Sequence, residues 1–228
     1  MLLAGYGKLV QMIIALNKEQ KNFYIFNRTA EKVQKDAMKD KRLQYTSSHR
    51  FHTFTTVFLA LPPEACFSFL KQFESLFPDD TVIFHTSTNL KADDLKKTAP
   101  RHYIIPAKFA GHAKQAVREK RGGTFVVPGE FKNESASLDR WLGDAFTVVN
   151  GTEDMVKKAN KKAVEETIKL AIELAERLEK EGVSKPIREA VISQIPAGVL
   201  HAHLEGRHGA FARQVLDKME GLKGDESK

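Results

Sequence analysis

Two hydrophobic patterns alternate along the first 150 residues. Short apolar runs at residues 56–61, 81–84 and 102–105 predict strands that are buried on both faces. Between the first two runs, apolar side chains recur at helical spacing within residues 63–76. Strands that alternate with helices in this way predict a parallel sheet covered by helices on both faces.

The first 29 residues carry the most specific pattern. A short apolar strand runs into Gly5-x-Gly7, a helix follows from Lys8, and a second strand ends at Asn27. Gly5 permits the tight turn after the strand, and Gly7 lets the backbone approach a pyrophosphate that the helix N-terminus attracts. We therefore expect a dinucleotide site. Its predicted contacts in this turn are Gly5, Tyr6, Gly7, Lys8 and Leu9.

A Gly-x-Gly pair alone is a weak signal, because glycines also mark ordinary turns. Val10 also stands where a third glycine is expected. The alternative is therefore a chain that keeps this fold but whose site no longer binds a cofactor.

The end of the second strand carries no carboxylate. An acidic residue there would accept hydrogen bonds from a ribose 2′-OH and would repel a 2′-phosphate. This chain instead has Asn27, Arg28 and Thr29, with Lys32 in the following helix. Because Arg28 can hold a phosphate through two parallel N–H bonds, the pattern predicts NADP as the cofactor. Thr29 also suits the N-cap of a helix from Ala30, and both roles remain open.

Ligands of open parallel sheets bind beyond the carboxyl ends of the strands. Residues 60–63, 85–87 and 106–108 each follow a predicted strand and are expected at the same edge as Gly5. The cofactor contacts predicted in the first of these segments are Ala60, Leu61 and Pro62.

The pattern changes after Gly151. Residues 153–181 predict one long helix that Gly182 ends, and Pro186 opens the next helix. The apolar stripe of the long helix is wider than a surface helix needs. Either the remaining helices of the chain cover it or a second copy does, and we expect a homodimer through the C-terminal helices. The stripe comprises Val164, Ile168, Leu170, Ala171, Ile172, Leu174, Ala175 and Leu178.

The net charge of +7 on 228 residues suggests nucleic acid as a partner. The basic residues are dispersed, however, and the densest group lies beside Glu165 and Glu166, as on a solvated helix face. We therefore do not expect nucleic acid as a partner. The group consists of Lys157, Lys158, Lys161 and Lys162.

The single cysteine, Cys66, excludes an intrachain disulfide framework and suits a reducing compartment. No apolar run approaches the roughly 20 residues of a membrane span, and the first residues lack a signal-peptide layout. We expect a cytoplasmic protein with no membrane association.

Together these segments resemble the pyrroline-5-carboxylate reductases and their relatives in the 6-phosphogluconate-dehydrogenase-like group. The resemblance rests on Gly5-x-Gly7, on Asn27-Arg28-Thr29, and on residues 57–63, 123–127 and 165–190. It implies an α/β fold in which a Rossmann-type, doubly wound, mainly parallel sheet is followed by an all-helical C-terminal domain.

The implied domains are residues 1–150 for NADP binding and residues 151–222 for dimerisation and substrate binding. A polar, disordered tail is expected at residues 223–228.

The segments that bind substrate in this family are not matched. Where pyrroline-5-carboxylate reductases carry a Met-Pro-Asn-Thr-Pro type segment, residues 105–109 read Ile-Pro-Ala-Lys-Phe. The Ser/Gly-rich and Pro-Gly-Gly-Thr-Thr type segments of the family are absent from the sequence. The expected function is transfer of hydride between NADPH and a small imine or carbonyl substrate. The alternative is a non-catalytic NADP(H)-binding regulatory or accessory protein.

Such a reduction needs one proton donor beside the cofactor. Lys108, just after the last strand of the predicted sheet, is the candidate catalytic residue, followed by His85 and His112. The alternative for Lys108 is a solvated loop lysine.

Three polar residues near the C-terminus are spaced for one helix face. His201, Glu205 and His208 lie four and three positions apart, with His203 on the opposite side, and are candidate substrate contacts. Two histidines and a glutamate can also ligate zinc. Gly206 can end the helix before His208 aligns, and we predict no metal.

Overall fold

The computed structural model describes the backbone of residues 1–225 and the side chains of residues 1–219. One sheet contains six strands: β1 (Leu2–Ala4), β2 (Phe23–Phe26), β3 (Leu43–Tyr45), β4 (Thr56–Leu59), β5 (Val82–His85) and β6 (Tyr103–Pro106). A second sheet contains three strands: β7 (Lys108–Ala110), β8 (Thr124–Val127) and β9 (Thr147–Asn150).

The helices between the strands complete an alternating β-α order. The first six helices are α1 (Lys8–Leu16), α2 (Ala30–Ala37), α3 (Pro63–Phe73), α4 (Ala92–Lys96), α5 (Ala113–Glu119) and α6 (Lys132–Leu142). Three more follow the last strand: α7 (Glu153–Lys180), α8 (Lys185–Leu204) and α9 (Ala210–Asp225).

The six-stranded sheet is parallel throughout, in the order β3-β2-β1-β4-β5-β6. The chain therefore reverses its direction of winding between β1 and β4, which creates the crevice where such sheets bind dinucleotides. In the smaller sheet, β7 is antiparallel to β8, and β8 is parallel to β9. The predicted Rossmann-type sheet followed by a helical C-terminal region is confirmed.

Apolar clusters cover both faces of the large sheet, as continuous apolar strands require. Leu3, Ile25 and Phe58 belong to a cluster that includes α1, α6 and β8, while Leu2 and Val57 point into a second cluster with α3 and α4. Strand β1 is wholly buried, since each of its residues has 0% exposure.

A 3-10 helix at Ser48–Thr53 was not predicted from the sequence, and it carries the centre of the second cluster. The Phe51 ring stacks on Phe77 with centroids 4.7 Å apart, and it meets Phe26 and Phe73 edge-on at 5.2 and 5.4 Å. Phe51 also contacts Phe69. A polar segment with one phenylalanine shows no periodicity, so the pattern could not reveal this role.

The chain forms two compact units, Met1–Lys162 and Ala163–Lys228, and the division falls within α7. The sequence placed a boundary at residue 150, where β9 ends, and this assignment of domains stays a prediction. Residues 223–225 continue α9, whereas residues 226–228 of the expected disordered tail lie outside the described residues. Within residues 1–225, no helix is long and apolar enough to span a membrane.

The C-terminal unit exposes its apolar residues. Among the described side chains from residue 157 to residue 219, none is buried. Large apolar side chains that are exposed in this unit include Val164, Ile168, Leu170, Ile172, Ile187, Ile195, Val199, Leu200, Leu204, Phe211, Val215 and Met219. A helical unit that is stabilised by the burial of apolar side chains needs a further surface that packs against these residues.

We expect Phe51→Ala to lower the free energy of unfolding by about 3–5 kcal/mol, because it empties the centre of the aromatic cluster. Met38, which is 71% exposed, provides the control, and Met38→Ala should change stability by less than about 0.5 kcal/mol. Urea unfolding measures both. Equal small effects would show that the 3-10 segment is not part of the core.

Candidate functional site

The turn after β1 is shaped by two glycines with different requirements. Gly5 has φ of 104°, and a Cβ built on it would lie 2.5 Å from the Ala60 carbonyl oxygen. Its N–H donates to the Phe26 carbonyl at 2.8 Å. Gly7 has an ordinary extended backbone, and apart from its immediate chain neighbours no described residue lies within 4 Å of where its Cβ would be. Gly5 is therefore required by the fold, whereas Gly7 faces open space.

Helix α1 begins at Lys8, with Gly7 as its N-cap, as predicted. Among its described residues, no side chain caps the helix, and no acidic residue lies in the first turn. Its first N–H groups and the positive end of its dipole are thus available to an anion beside Gly7. Tyr6 precedes Gly7 and is buried, and Leu9 is the second residue of α1.

Asn27 joins the two loops of the first β-α-β unit. Its Oδ1 accepts a hydrogen bond from the Tyr6 N–H at 3.2 Å, and its Nδ2 donates to the Thr29 carbonyl at 2.8 Å. Thr29 is the N-cap of α2, as expected, although its side chain makes no capping bond among the described residues. The Thr29 hydroxyl and the exposed Arg28 therefore both remain open to a ligand.

The Tyr6 side chain connects this turn to α2. Its hydroxyl donates to the Asp36 carboxylate at 3.0 Å, and the Lys32 ammonium lies 5.9 Å from its ring centroid. Burial and the Asp36 contact raise the pKa of the Tyr6 hydroxyl, so it stays protonated. Asp36 was not predicted as a site residue, since nothing in the sequence pairs it with Tyr6.

The loop after β4 lies against the glycine turn. The Ala60 N–H donates to the Ala4 carbonyl at 2.9 Å, and Pro62 is the N-cap of α3. Leu61 lies 2.9 Å from the position of a Cβ on Gly5. The structure thus brings Ala60, Leu61 and Pro62 to the edge where the sequence placed them. Their contact with a cofactor stays a prediction.

Lys108 is not the exposed rim residue that the sequence suggested. It lies on β7 with 0% exposure, and its ammonium donates to the carbonyls of Ser87 and Leu90, the latter at 2.8 Å. It also forms an ion pair with Glu153 at 3.0 Å. Because protein groups surround the ammonium, Lys108 has no N–H free for a substrate in this arrangement.

His85 and Glu153 complete a polar cluster with Lys108, in which His85 and Lys108 are buried and Glu153 is half-buried. The Lys108 Nζ lies 3.3 Å from His85 Nδ1, and His85 Nε2 lies 3.6 Å from Glu153 Oε2. The other oxygen of Glu153 accepts a hydrogen bond from the Ala92 N–H at 3.1 Å, at the start of α4. Glu153 was missed because an acidic residue in the first turn of a helix is usually a simple dipole partner.

Burial dominates the protonation of this cluster. Desolvation, and secondarily the Lys108 charge, lower the pKa of His85 to about 3, so the imidazole is neutral. Desolvation also lowers the pKa of Lys108, while the Glu153 carboxylate opposes that shift. Nearby, burial raises the pKa of the Cys66 thiol to about 11, and Cys66 lies in the core with 0% exposure.

The predicted face of His201, Glu205 and His208 does not form. Helix α8 ends at Leu204, and Gly206 adopts a φ of 68°, which turns the chain back. His208 Nε2 consequently lies 3.0 Å from the Nδ1 of His203, the residue expected on the opposite side. His112, a candidate in the first unit, caps α5 by accepting the Gln115 N–H.

No protein-family model matches this chain, and no curated protein matches it. Among solved structures, it is similar to a pyrroline-5-carboxylate reductase from Coxiella burnetii. The two share 16% identity with a TM-score of 0.72, over 99% of this chain and 89% of the other. The chain has the fold of that reductase.

Two further structures extend this similarity. A Plasmodium falciparum pyrroline carboxylate reductase with NADP bound shares 13% identity and a TM-score of 0.64, over 99% of this chain and 88% of the other. A Mycobacterium tuberculosis 3-hydroxyisobutyrate dehydrogenase shares 16% identity and a TM-score of 0.57, over 81% of this chain and 66% of the other. The fold resemblance predicted from the sequence is therefore confirmed.

We expect His85 to make the chain sensitive to acid. Its native pKa of about 3 lies below the ordinary value of 6.5, so the unfolded state binds more protons between those pH values. Stability from this group is therefore complete above pH 6.5 and is lost as the pH falls, by about 2–3 kcal/mol between pH 6.5 and 4.5.

Urea unfolding at these two pH values tests the expectation. His85→Asn should reduce the difference in unfolding free energy between them, whereas His52→Asn at an exposed position should leave it unchanged. An unaltered pH dependence in His85→Asn would contradict the assigned protonation state.

Proposed function

We propose that the chain is an NADP-dependent oxidoreductase that transfers hydride between NADPH and a small imine or carbonyl compound. The observation that carries the proposal is the open position beside Gly7, at the switch point of the sheet and at the N-terminus of α1, which no described side chain caps. These features fit a pyrophosphate, because backbone N–H groups and the helix dipole both favour an anion there.

The residues after β2 support NADP as the nicotinamide cofactor. The exposed Arg28 and Lys32 are suited to hold a 2′-phosphate, and the side chain of Asn27 is already used to join the two loops. NADPH, when bound, would supply the hydride. The protein would bind and orient it through Gly5, Tyr6, Gly7, Lys8, Leu9, Asn27, Arg28, Thr29, Lys32, Ala60, Leu61 and Pro62.

Lys108 presents no proton to a substrate in this arrangement. Protein groups hold its ammonium, so Lys108 could donate a proton only if the cluster opened. This observation favours a second candidate function, a non-catalytic NADP(H)-binding regulatory or accessory protein. His201, Glu205 and His208 stay candidate substrate contacts.

The proposed location is the cytoplasm. The free thiol of Cys66 supports it, because free cysteines suit a reducing compartment.

We expect the chain to bind NADPH more tightly than NADH. The Arg28→Ala substitution should weaken NADPH binding about 10–100-fold, because a charge-assisted phosphate contact is lost. The affinity of the Arg28→Ala variant for NADH should stay within about threefold of that of the unaltered chain. Isothermal titration measures the dissociation constants.

Arg118→Ala, an exposed arginine on α5, is the matched control and should change neither affinity. Equal affinity of the unaltered chain for NADPH and NADH would contradict the assignment of NADP. Oxidation of NADPH in the presence of a panel of cyclic imines and oxo acids would then favour the enzyme over the accessory protein.

We also propose that the chain is a homodimer through its C-terminal helices. The support is the exposed apolar surface of α7, α8 and α9, since residues 157–219 contain no buried side chain among those described. Ile168 and Ile172 lie one turn apart on α7 and are 54% and 55% exposed. A second copy would bury them in a surface that is identical on both partners.

Light scattering should give a mass of about 51 kDa, twice that of the 25.6 kDa chain. Ile168→Glu with Ile172→Glu should shift it to the mass of one chain or cause loss of the folded protein, because two charges would be buried. Lys158→Glu with Lys162→Glu on the same helix is the control and should remain a dimer. A monomeric unaltered chain would contradict the proposal.

A further inference from the structure

The buried cluster holds a loop in place. The loop at residues 86–91 connects β5 to α4, and Lys108 binds it at two carbonyls, those of Ser87 and Leu90. Glu153 binds the Ala92 N–H directly after the loop. Lys108 and Glu153 come from β7 and α7, so two distant parts of the chain fix both ends of the same loop.

The hydrogen-bonding roles within the cluster follow from the chemistry of the lysine. An ammonium can only donate, and its three N–H groups face the Ser87 and Leu90 carbonyls and Glu153 Oε2, while His85 Nδ1 is a longer contact at 3.3 Å. His85 Nε2 lies 3.6 Å from Glu153 Oε2, beyond hydrogen-bonding distance, and has no hydrogen-bond partner among the described residues. Lys108 is therefore the group that joins the cluster, and its removal leaves the Glu153 carboxylate without its counter-charge.

An ionic cluster is a costly way to hold a loop. Desolvation of a lysine and a carboxylate offsets much of their attraction, so an apolar contact would stabilise the fold as well or better. What the cluster does provide is geometry, because Lys108 fixes the direction of two carbonyl groups within the loop.

The position of the loop connects this geometry to the proposed cofactor site. It follows β5, which lies beyond β4 in the strand order, whereas Arg28 follows β2 on the other side of β1. A dinucleotide that crosses the switch point with its adenosine over β2 directs its nicotinamide towards β4 and β5.

We propose that Lys108, His85 and Glu153 are positioning residues that hold the loop at residues 86–91 as a wall for the nicotinamide end of the cofactor. They act through the loop and touch neither cofactor nor substrate. This inference rests on the proposed function, since it presupposes that NADP(H) occupies the crevice.

Two ligands separate positioning from general stability. NADPH contains the nicotinamide, whereas 2′-phospho-ADP-ribose keeps the adenosine, 2′-phosphate and pyrophosphate but lacks that ring. Lys108→Met should weaken NADPH binding at least tenfold and 2′-phospho-ADP-ribose binding less than twofold, as measured by isothermal titration. Lys97→Met, at an exposed position after α4 and outside the loop, should alter neither.

A second variant covers the case in which Lys108→Met does not fold because Glu153 is left unpaired. Lys108→Met with Glu153→Gln removes both charges and keeps an oxygen for the Ala92 N–H. It should show the same selective loss for NADPH.

Each outcome decides the inference. A selective loss for NADPH supports it. Parallel loss for both ligands would show a purely structural cluster and overturn the inference, as would unchanged binding of both. Failure of the unaltered chain to bind either ligand would instead overturn the proposed function, and this inference with it.

Discussion

The complete burial of β1 is the constraint on which the rest of the structure depends. Its three residues pair with β2 on one side and β4 on the other, and their side chains enter the apolar clusters on both faces. A strand enclosed in this way must leave the sheet through a tight turn. Gly5 supplies that turn, because a Cβ would meet the Ala60 carbonyl at 2.5 Å. The crevice at the carboxyl edge follows from this arrangement, as does the position of the α1 N-terminus beside it.

The polar interactions at that edge divide into two kinds. Around Gly7, the first N–H groups of α1 and the exposed basic side chains after β2 are available to a ligand. Beyond β5 the polar groups are already paired, because the buried Lys108 ammonium contacts the Ser87 and Leu90 carbonyls and the Glu153 carboxylate. Polar groups that are available to a ligand can bind an anion, whereas groups that are already paired within the protein can only hold the backbone around it. This contrast is why we assign recognition to the first set and positioning to the second.

The fold was predictable because its signals are local. Continuous apolar runs and the Gly5-x-Gly7 turn identified the parallel sheet, and apolar residues at helical spacing within residues 63–76 identified α3. Contacts between distant residues were not predictable. The burial of Lys108 depends on Glu153, 45 positions later, and no periodicity links them. The turn at Gly206 was the alternative that the sequence left open, and it broke the face expected for His208, because spacing arguments hold only while a helix continues.

We propose that NADP(H) binds in the crevice between β1 and β4. A crystal structure of the chain with NADPH is the decisive measurement. We expect the pyrophosphate beside Gly7 at the N-terminus of α1, with the 2′-phosphate within hydrogen-bonding distance of the Arg28 guanidinium. NADPH bound elsewhere, or a 2′-phosphate directed away from Arg28, would contradict it.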